Sequence, residues 1–373
     1  MASGSFSPGQ SSVRTTASRD LASHCADSSA SLSGTYASVV KADGGNKEPE
    51  TLRQHLELLW QRAIDSGVPE EALGEILNTT LDESSLRLAE QLRQDSARML
   101  AEHAEIRRGF EERLQQRWRS ALEAFEVVLV ACLEVGSDLH SEQMAHSDPL
   151  SDVGQEVKAH AMTLLHARSC MVASEVFALL RTGHAAGAQA RWRTAHEIAV
   201  ISSLLGANSP DLSNRFLLHR FVERWKEAEC YQQNCVALGQ EPFSEKEMEQ
   251  FRSDYDTVLN QFETGYAGDW GWAKPLFSSP KAEPNFAQLD ELAGLDHNKP
   301  YVKLSHRAIH SGASGTLDIL ELYGQGEFML AGPSDAGLAE PGHGCLIALY
   351  QVTTAYVLNA YGEDVEPDIL RLS

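Results

Sequence analysis

The stretch Arg191-Trp-Arg-Thr-Ala-His-Glu197 leads directly into an apolar run that contains Ile198, Val200, Ile201, Leu204 and Leu205. A second stretch, Tyr301-Val-Lys-Leu-Ser-His-Arg-Ala-Ile-His310, has the same character further along the chain. Both place ionisable side chains on segments whose apolar spacing predicts a buried helix, where an unpaired charge is costly. We therefore expect the charged residues of the two stretches to be partners of one another.

Composition sets the broad class of the protein. The chain has 373 residues, of which 42% are hydrophobic and 23% are charged, as in an ordinary soluble globular protein. A formal net charge of −22 argues against broad, non-specific binding to nucleic-acid phosphates. Two interpretations of one locally basic region stay open, a local binding site or a solvated helix face. That region holds Arg215, Arg220, Arg224 and Lys226.

Cysteine usage and hydropathy predict a cytoplasmic protein. The six cysteines form no Cys-x-x-Cys pair, which is typical of reduced, buried thiols rather than of a disulfide framework or a zinc ribbon. The N-terminus has no apolar core of signal-peptide length. The most apolar run, Ala124 to Val135, contains Glu126 and Glu134, so no stretch is typical of a membrane span and we expect no membrane association.

The N-terminal third of the chain divides into a tail and an arm. Residues 1–47 are rich in Ser, Gly, Ala and Thr, which predicts a disordered tail. Residues 48–120 form a predicted helical arm. Within it, the capping box Thr80-Leu-Asp-Glu83 begins a helical pattern that runs to residue 135, with a bend expected at Gly109. The narrow apolar stripe of this long helix suits a coiled-coil contact with a protein partner.

The predicted main domain covers residues 121–365 and is an all-α helical bundle. Glycines, prolines and capping residues separate its helices, and no β-alternation of useful length occurs. The predicted helices cover 151–181, 186–205, 210–239, a segment from 245 to about 265, a segment after Pro300, and 343–361. Residues 265–298 are expected to be irregular, and a glycine-rich segment, 311–344, is expected to form a long loop with a short helix at 316–323.

Two pairs of residues are candidates for site chemistry. Arg193 and Glu197 are four apart, so they share a helix face as either a surface salt bridge or a partly buried polar pair. His306 and His310 have the same spacing, which suits a two-histidine metal clamp completed by Glu197 or His196. We favour a different role for His310, as a general acid or base at a helix C-terminus. We expect neither a metal nor another cofactor.

The spacing Arg191-x4-His196 matches the Arg-x4–6-His signature of the HEPN-type helical ribonucleases. In that class the histidine and arginine act on an RNA phosphodiester. The same spacing recurs at Arg19–His24 and Arg98–His103, so the match on its own has low specificity. The sequence contains no Gly-x-Ser-x-Gly nucleophile elbow, P-loop or dinucleotide fingerprint.

Taken together, three blocks resemble domain-of-unknown-function family 5677, a bacterial family of helical proteins, over about residues 150–361. The first block has Leu179-Leu180 and Gly183, followed by Arg193 and Glu197, and it has Thr194 where serine is usual. The second block is Asn214-Arg215-Phe216. The third block has Tyr301, Leu304, Ser305 and His310. The resemblance implies an all-helical fold and no settled activity. The family is also similar in outline to HEPN-like and abortive-infection helical proteins. By fold-level analogy, this similarity implies RNA cleavage or phage defence.

We expect Arg193, Glu197 and His310 to converge in one polar pocket, with Tyr301 and Ser305 as further donors and a hydrogen bond between Glu197 and His310. Two function classes follow. A nuclease-like effector would use His310 or His196 as the acid or base and arginines such as Arg191 to brace a phosphate of RNA, and we expect it to be a homodimer with a positive patch. A non-catalytic binding or scaffold protein would instead have a polar cluster with no cleft, in which every polar group has a hydrogen-bond partner. Its long helix would recruit the partner protein.

Overall fold

The computed structural model describes residues 57, 60–62, 64–67, 70–145, 153–279, 283–317 and 331–361. Regular structure in these ranges is helical throughout and includes no β-strand, which confirms the predicted all-α class. The predicted tail at 1–47 lies outside the described residues. The same is true of residues 318–330, and therefore of most of the short helix predicted at 316–323.

The main helices follow the punctuation of the sequence. They are α1 (Glu70–Arg117), α2 (Arg119–Ala145), α3 (Val153–Arg181), α4 (Ala185–Ala207), α5 (Pro210–Asn234), α6 (Glu245–Leu259), α7 (Phe286–Leu292), α8 (Lys299–Ile309) and α9 (Ala339–Tyr361). Gly183, with a φ of 78°, follows α3 in the left-handed conformation that favours glycine. The Ser244 capping box begins α6 as predicted, since its hydroxyl accepts from the Glu247 N–H and the Glu247 carboxylate accepts from the Ser244 N–H.

The long helical pattern is interrupted at Trp118, and it is continuous through Gly109. The Trp118 indole Nε1 donates to the backbone oxygen of Asp335 at 3.1 Å, and Arg117 forms an ion pair with the Asp335 carboxylate. These contacts hold the break between α1 and α2 to the segment before α9. The described residues fall into two units, one that ends at Glu105 and one that begins at Ile106.

Helix α4 is the centre of the second unit. It is apolar on most faces, and residues such as Ala188, Ala199, Val200 and Leu205 are fully buried. Such a helix must be covered all round. Helices α3 and α9 supply the largest contacts with α4, while α5, α7 and α8 also pack against it. Helix α2 packs on α3 and α9, and α5 packs on α6 and on the 3-10 helix Gly271–Leu276.

Among the described residues, α3 is the one helix long and apolar enough to cross a membrane by length and composition. Half of its most apolar window is buried against the rest of the protein. Burial of this extent is typical of the core helix of a soluble protein.

Candidate functional site

The polar cluster on α4 begins with Arg193 and Glu197. The Arg193 Nη1 atom lies 3.4 Å from Glu197 Oε2, and the two side chains are 17% and 39% exposed. Burial lowers the pKa of Arg193, while the charges of Glu197 and Asp290 oppose that shift. Burial likewise raises the pKa of Glu197, against the opposing charge of Arg193. The Arg193 guanidinium also lies 4.0 Å from the centre of the Phe286 ring, a cation–π contact between α4 and α7. The predicted pair is therefore half-buried and in contact with an aromatic ring.

His196 is paired with Asp290, a residue that no sequence motif singled out. The Nε2 atom of His196 lies 3.1 Å from Asp290 Oδ1, and the residues are 1% and 2% exposed. Burial lowers the pKa of His196 and nearby Arg193 lowers it further, while Asp290 acts in the opposite direction. The net direction is downward, so the imidazole is neutral at pH 7. Asp290 lies on α7, within the segment expected to be irregular, and the Asn285–Gln288 capping box is the signal that could have found this helix.

Aromatic rings enclose this histidine. Trp192 stacks on His196 with ring centroids 5.6 Å apart, and Phe286 contacts the imidazole edge-on at 6.0 Å. The face of Trp192 towards α9 has no room for a side chain, because a Cβ built on Gly344 would lie 2.5 Å from the indole Nε1. Tyr301 contacts Trp192 edge-on at 6.5 Å and is about half exposed. His196 is thus sealed between ring faces and a close helix contact.

Arg191 and His196 point to different neighbours. Arg191 forms an ion pair with Glu175 on α3, and its Nη1 atom donates to the Thr194 hydroxyl at 3.2 Å. His196 faces α7 instead. Five residues along an α-helix turn the side chain by roughly 140°, so the Arg-x4-His spacing separates these two groups. The structure does not bring the arginine and histidine of this motif together.

His310 lies apart from the hydrogen bonds of the α4 cluster. It follows the last residue of α8, where its backbone N–H donates to the His306 oxygen at 2.8 Å, as expected for a helix C-terminus. Its exposed ring contacts His306 edge-on, with centroids 5.7 Å apart. Among the hydrogen bonds of the described residues, none joins His310 to Glu197. Ser305 is buried, and its hydroxyl donates to the Val302 oxygen within α8 at 2.7 Å.

Arg215, from the Asn214-Arg215-Phe216 block, is buried and bonds to several groups of a later segment. We call this set of contacts the Arg215 clamp. Arg215 Nη1 and Nη2 donate to the two carboxylate oxygens of Glu263 at 2.9 and 2.7 Å, and its Nε donates to the Trp272 oxygen at 3.0 Å. In return, the Tyr266 hydroxyl donates to the Arg215 oxygen at 2.6 Å. These contacts fasten α5 to the segment after α6. Bidentate pairing of this kind fixes geometry well, so Arg215 has a structural role.

The other members of the basic region are also engaged within the fold. Lys226 donates to Asp269 at 2.8 Å. Arg220 and Arg224 lie over the rings of Phe221 and Phe251. In the described part of the chain, no three His, Cys, Asp or Glu residues are grouped so that they could hold a metal ion.

A cavity of about 300 Å³ lies between α2, α3 and α9. Its lining is mainly apolar and includes Phe125, Leu180, Leu338 and Leu346. Phe125, one of the lining residues, stacks on Phe177 with ring centroids 5.4 Å apart. The cavity was not predictable from the sequence, because its walls come from three helices whose mutual packing is not visible in local spacing.

Two further depressions continue from the cavity along α2. Leu122 lines both the cavity and a polar groove of about 510 Å³. Glu123 and Glu126 line both that groove and a third depression of about 430 Å³. The three depressions therefore form one continuous surface, which we call the α2 surface.

Residues 159–326 match the model of a family of unknown function, DUF5677. The matched segment, which is less than half of the chain, is similar to this family. The match confirms the resemblance that the three sequence blocks indicated. No curated protein and no solved structure matches the chain.

The DUF5677 segment contains the polar cluster and the Arg215 clamp. Arg193, Glu197, Asp290 and His310 all fall within it, and so does most of the packing around α4. The α2 surface is formed largely outside it, since α2 precedes the matched residues and α9 follows them. The two candidate sites thus belong to different parts of the chain.

Proposed function

We propose that this protein is a non-catalytic binding protein, and that an apolar side chain of a protein partner enters the cavity between α2, α3 and α9. The cavity is the observation that carries the proposal. Its volume of about 300 Å³ and its apolar lining match the small end of natural ligand sites.

The walls of the cavity are preformed. Leu180 and Leu338 are almost fully buried, and the Trp118 indole is held by its hydrogen bond to the Asp335 oxygen. The exposed Ala121 and Ala124 lie at the mouth, where small side chains leave the entrance open. A preformed site loses little side-chain freedom when the partner binds, which favours affinity.

The ion pairs of the polar cluster on α4 favour a structural role for this cluster. Its two arginines, Arg191 and Arg193, are each paired with a glutamate, Glu175 and Glu197, and Asp290 adds a third carboxylate. The cluster therefore has no surplus of positive charge to hold a phosphate. Paired buried polar groups of this kind fix how helices pack. In this proposal the cluster sets the angle at which α4 meets α3 and α7.

The cavity, rather than the long helix, is the recruiting element in this proposal. Exposed apolar residues of α1, such as Leu88, Leu92 and Met99, share a heptad stripe with the charged Asp95 and Glu102. Charged residues at such positions weaken a coiled-coil seam. The cavity has no equivalent interruption.

A second candidate function is an RNA-cleaving or phage-defence effector in the cytoplasm. The His196–Asp290 pair favours it, because a histidine held by a carboxylate beside an arginine is an arrangement that general acid–base sites use. In this candidate His196 takes the proton from the 2′-hydroxyl while the 2′-oxygen bonds to phosphorus, and the P–O5′ bond breaks with the leaving 5′-oxygen protonated by water. His196 is 1% exposed, so α7 would have to move before RNA reached it.

A cavity-blocking substitution tests the binding proposal. Ala124→Trp places a large ring at the mouth of the cavity, and Ala101→Trp, at an exposed position on α1, is the matched control. Peptides are selected on the full-length protein from a displayed helical library, and their affinities are measured by fluorescence anisotropy. We expect Ala124→Trp to weaken binding at least about tenfold, or about 1.4 kcal/mol, while the control binds as wild type does. Equal binding by both variants would overturn the proposal.

A cleavage assay on labelled total RNA tests the second candidate. Wild type is compared with His196→Ala and His310→Ala, with and without a divalent metal. Loss of cleavage in the His196 variant alone, with circular dichroism showing that this variant is folded, would support the effector and identify its acid or base. Intact RNA in the presence of folded wild type would exclude the effector and leave the binding proposal.

A further inference from the structure

We infer that the segment bound in the cavity is a basic amphipathic helix of a partner protein, which lies along α2 with its lysines or arginines against a row of carboxylates. This inference rests on the proposed binding function. It adds the chemical class of the partner, which the cavity alone does not specify.

The continuity of the α2 surface gives the length of this segment. The surface runs along α2 from Leu122, at the cavity, to Glu134, at the far end of the third depression. Twelve residue steps at 1.5 Å each make about 18 Å, or about three helical turns. A partner helix of three to four turns covers that distance while one of its apolar side chains occupies the cavity.

The charge of the α2 surface is mainly negative beyond the cavity. The carboxylates that line its other two depressions are Glu112, Glu123, Glu126 and Glu134, and the cations are Arg119 and Arg181. In the described part of the chain, none of these four carboxylates takes part in a salt bridge or an internal hydrogen bond. Arg181 lies over the Phe177 ring, 5.5 Å from its centre. The third depression contains glutamates and no cation, so all the charge in its lining is negative.

Apolar side chains lie between these carboxylates. Val127 and Val130 line the third depression and are 67% and 46% exposed. Glu123, Glu126 and Glu134 share the depression with them. A surface on which valines lie between glutamates matches a helix whose apolar stripe is flanked by lysine or arginine, as in the helix-in-groove mode of recognition.

Charge distinguishes this occupant from nucleic acid and from membrane. Phosphodiesters and anionic headgroups would be repelled by the glutamates, and the whole chain has a formal net charge of −22. A basic peptide, by contrast, is attracted over a distance comparable with the Debye length, about 8 Å at physiological salt. The attraction adds to burial of the apolar anchor.

The inference is tested with two fluorescent peptides of about five helical turns, or about 18 residues. Both have leucine at every third or fourth position; one has lysine on the flanks and the other has glutamate. Each is titrated into full-length wild type, into Glu123→Gln/Glu126→Gln/Glu134→Gln, and into the control Glu227→Gln/Glu229→Gln/Glu249→Gln. The control removes three exposed carboxylates on α5 and α6. Circular dichroism confirms that all variants are folded.

We expect wild type to bind the lysine peptide at least about tenfold more tightly than the glutamate peptide, a difference of about 1.4 kcal/mol. The α2 triple variant should lose this preference, and the control should keep it. If the α2 triple variant keeps the preference for the lysine peptide, the proposed basic partner is wrong. It is also wrong if wild type shows no preference while Ala124→Trp abolishes binding of both peptides. In that second case the proposed binding function of the cavity is still supported. If Ala124→Trp binds both peptides as wild type does, the proposed binding function fails with it.

Discussion

His196 Nε2 lies 3.1 Å from Asp290 Oδ1, and this contact joins the middle of α4 to α7 across 94 positions of the chain. Neither residue is open to solvent. A buried carboxylate is stable only when charge or hydrogen bonds compensate it. The imidazole and the nearby Arg193 provide this compensation, so the pair determines where α7 is placed.

Removal of either partner should destabilise the protein strongly. His196→Ala leaves the Asp290 carboxylate buried without its hydrogen bond, and we expect the free energy of unfolding to fall by about 3–5 kcal/mol. Asp290→Ala should cost less, because the imidazole that remains is neutral. Urea unfolding of both single variants and of the double variant measures the coupling between them. Additivity of the single effects to within about 0.5 kcal/mol would show that the two residues act independently.

The glycine at position 344 should be required by the packing of α9 on α4. A Cβ at Gly344 would lie 2.5 Å from Trp192 Nε1, so Gly344→Ala forces the helices apart or the indole out of place. We expect a loss of about 1–3 kcal/mol in thermal or urea unfolding. Gly74→Ala is the control, because the helical Gly74 has no atom within 4 Å of its added Cβ. The control should be neutral or gain up to about 1 kcal/mol; an equal loss in both would contradict the packing argument.

The ends of the helices were predictable because they depend on local chemistry. A capping box at Ser244, a proline at position 210 and a glycine at position 183 each satisfy or terminate backbone hydrogen bonds within a few residues. Apolar spacing also identified the buried α4. These signals need no knowledge of the rest of the chain.

The partners of the polar residues were not predictable in the same way. Spacing on one helix found the Arg193–Glu197 pair but not Asp290, because that contact depends on the position of α7. Similarly, the break at Trp118 depends on Asp335, which follows more than two hundred residues later. Contacts of this kind appear only when helices have been placed in space.

The acid stability of the fold should depend on His166. Burial lowers its pKa from 6.5 to about 4, and its Nε2 lies 3.1 Å from the Thr353 hydroxyl. Because the folded-state pKa lies below the unfolded one, the unfolded chain binds more protons between these values, and stability falls as the pH drops below about 6.5. Between pH 7 and pH 5 this histidine alone should remove about 2 kcal/mol. Urea unfolding across that range measures the loss.

His166→Gln isolates this contribution, because glutamine does not titrate. The variant should lose about 2 kcal/mol less than wild type on going from pH 7 to pH 5. His140→Gln, on the exposed face of α2, is the control and should follow wild type. Parallel pH profiles for wild type and His166→Gln would show that His166 is not buried in its neutral form.

The Arg215 clamp should stabilise the packing of α5 against the segment after α6. Arg215→Ala removes the bidentate contact with Glu263 and the bond to the Trp272 oxygen, and we expect a loss of about 3 kcal/mol in urea unfolding. Arg215→Lys should recover little of it, because an ammonium group cannot form the bidentate pair.

Glu263→Gln should be milder than either arginine variant, since the Glu263 side chain is 45% exposed and water can replace part of the contact. Arg220→Ala, one helical turn and a residue away and exposed, is the control and should change stability by no more than about 0.5 kcal/mol. A loss for Arg220→Ala equal to that for Arg215→Ala would mean that general loss of positive charge from α5, and not the clamp, weakens the fold.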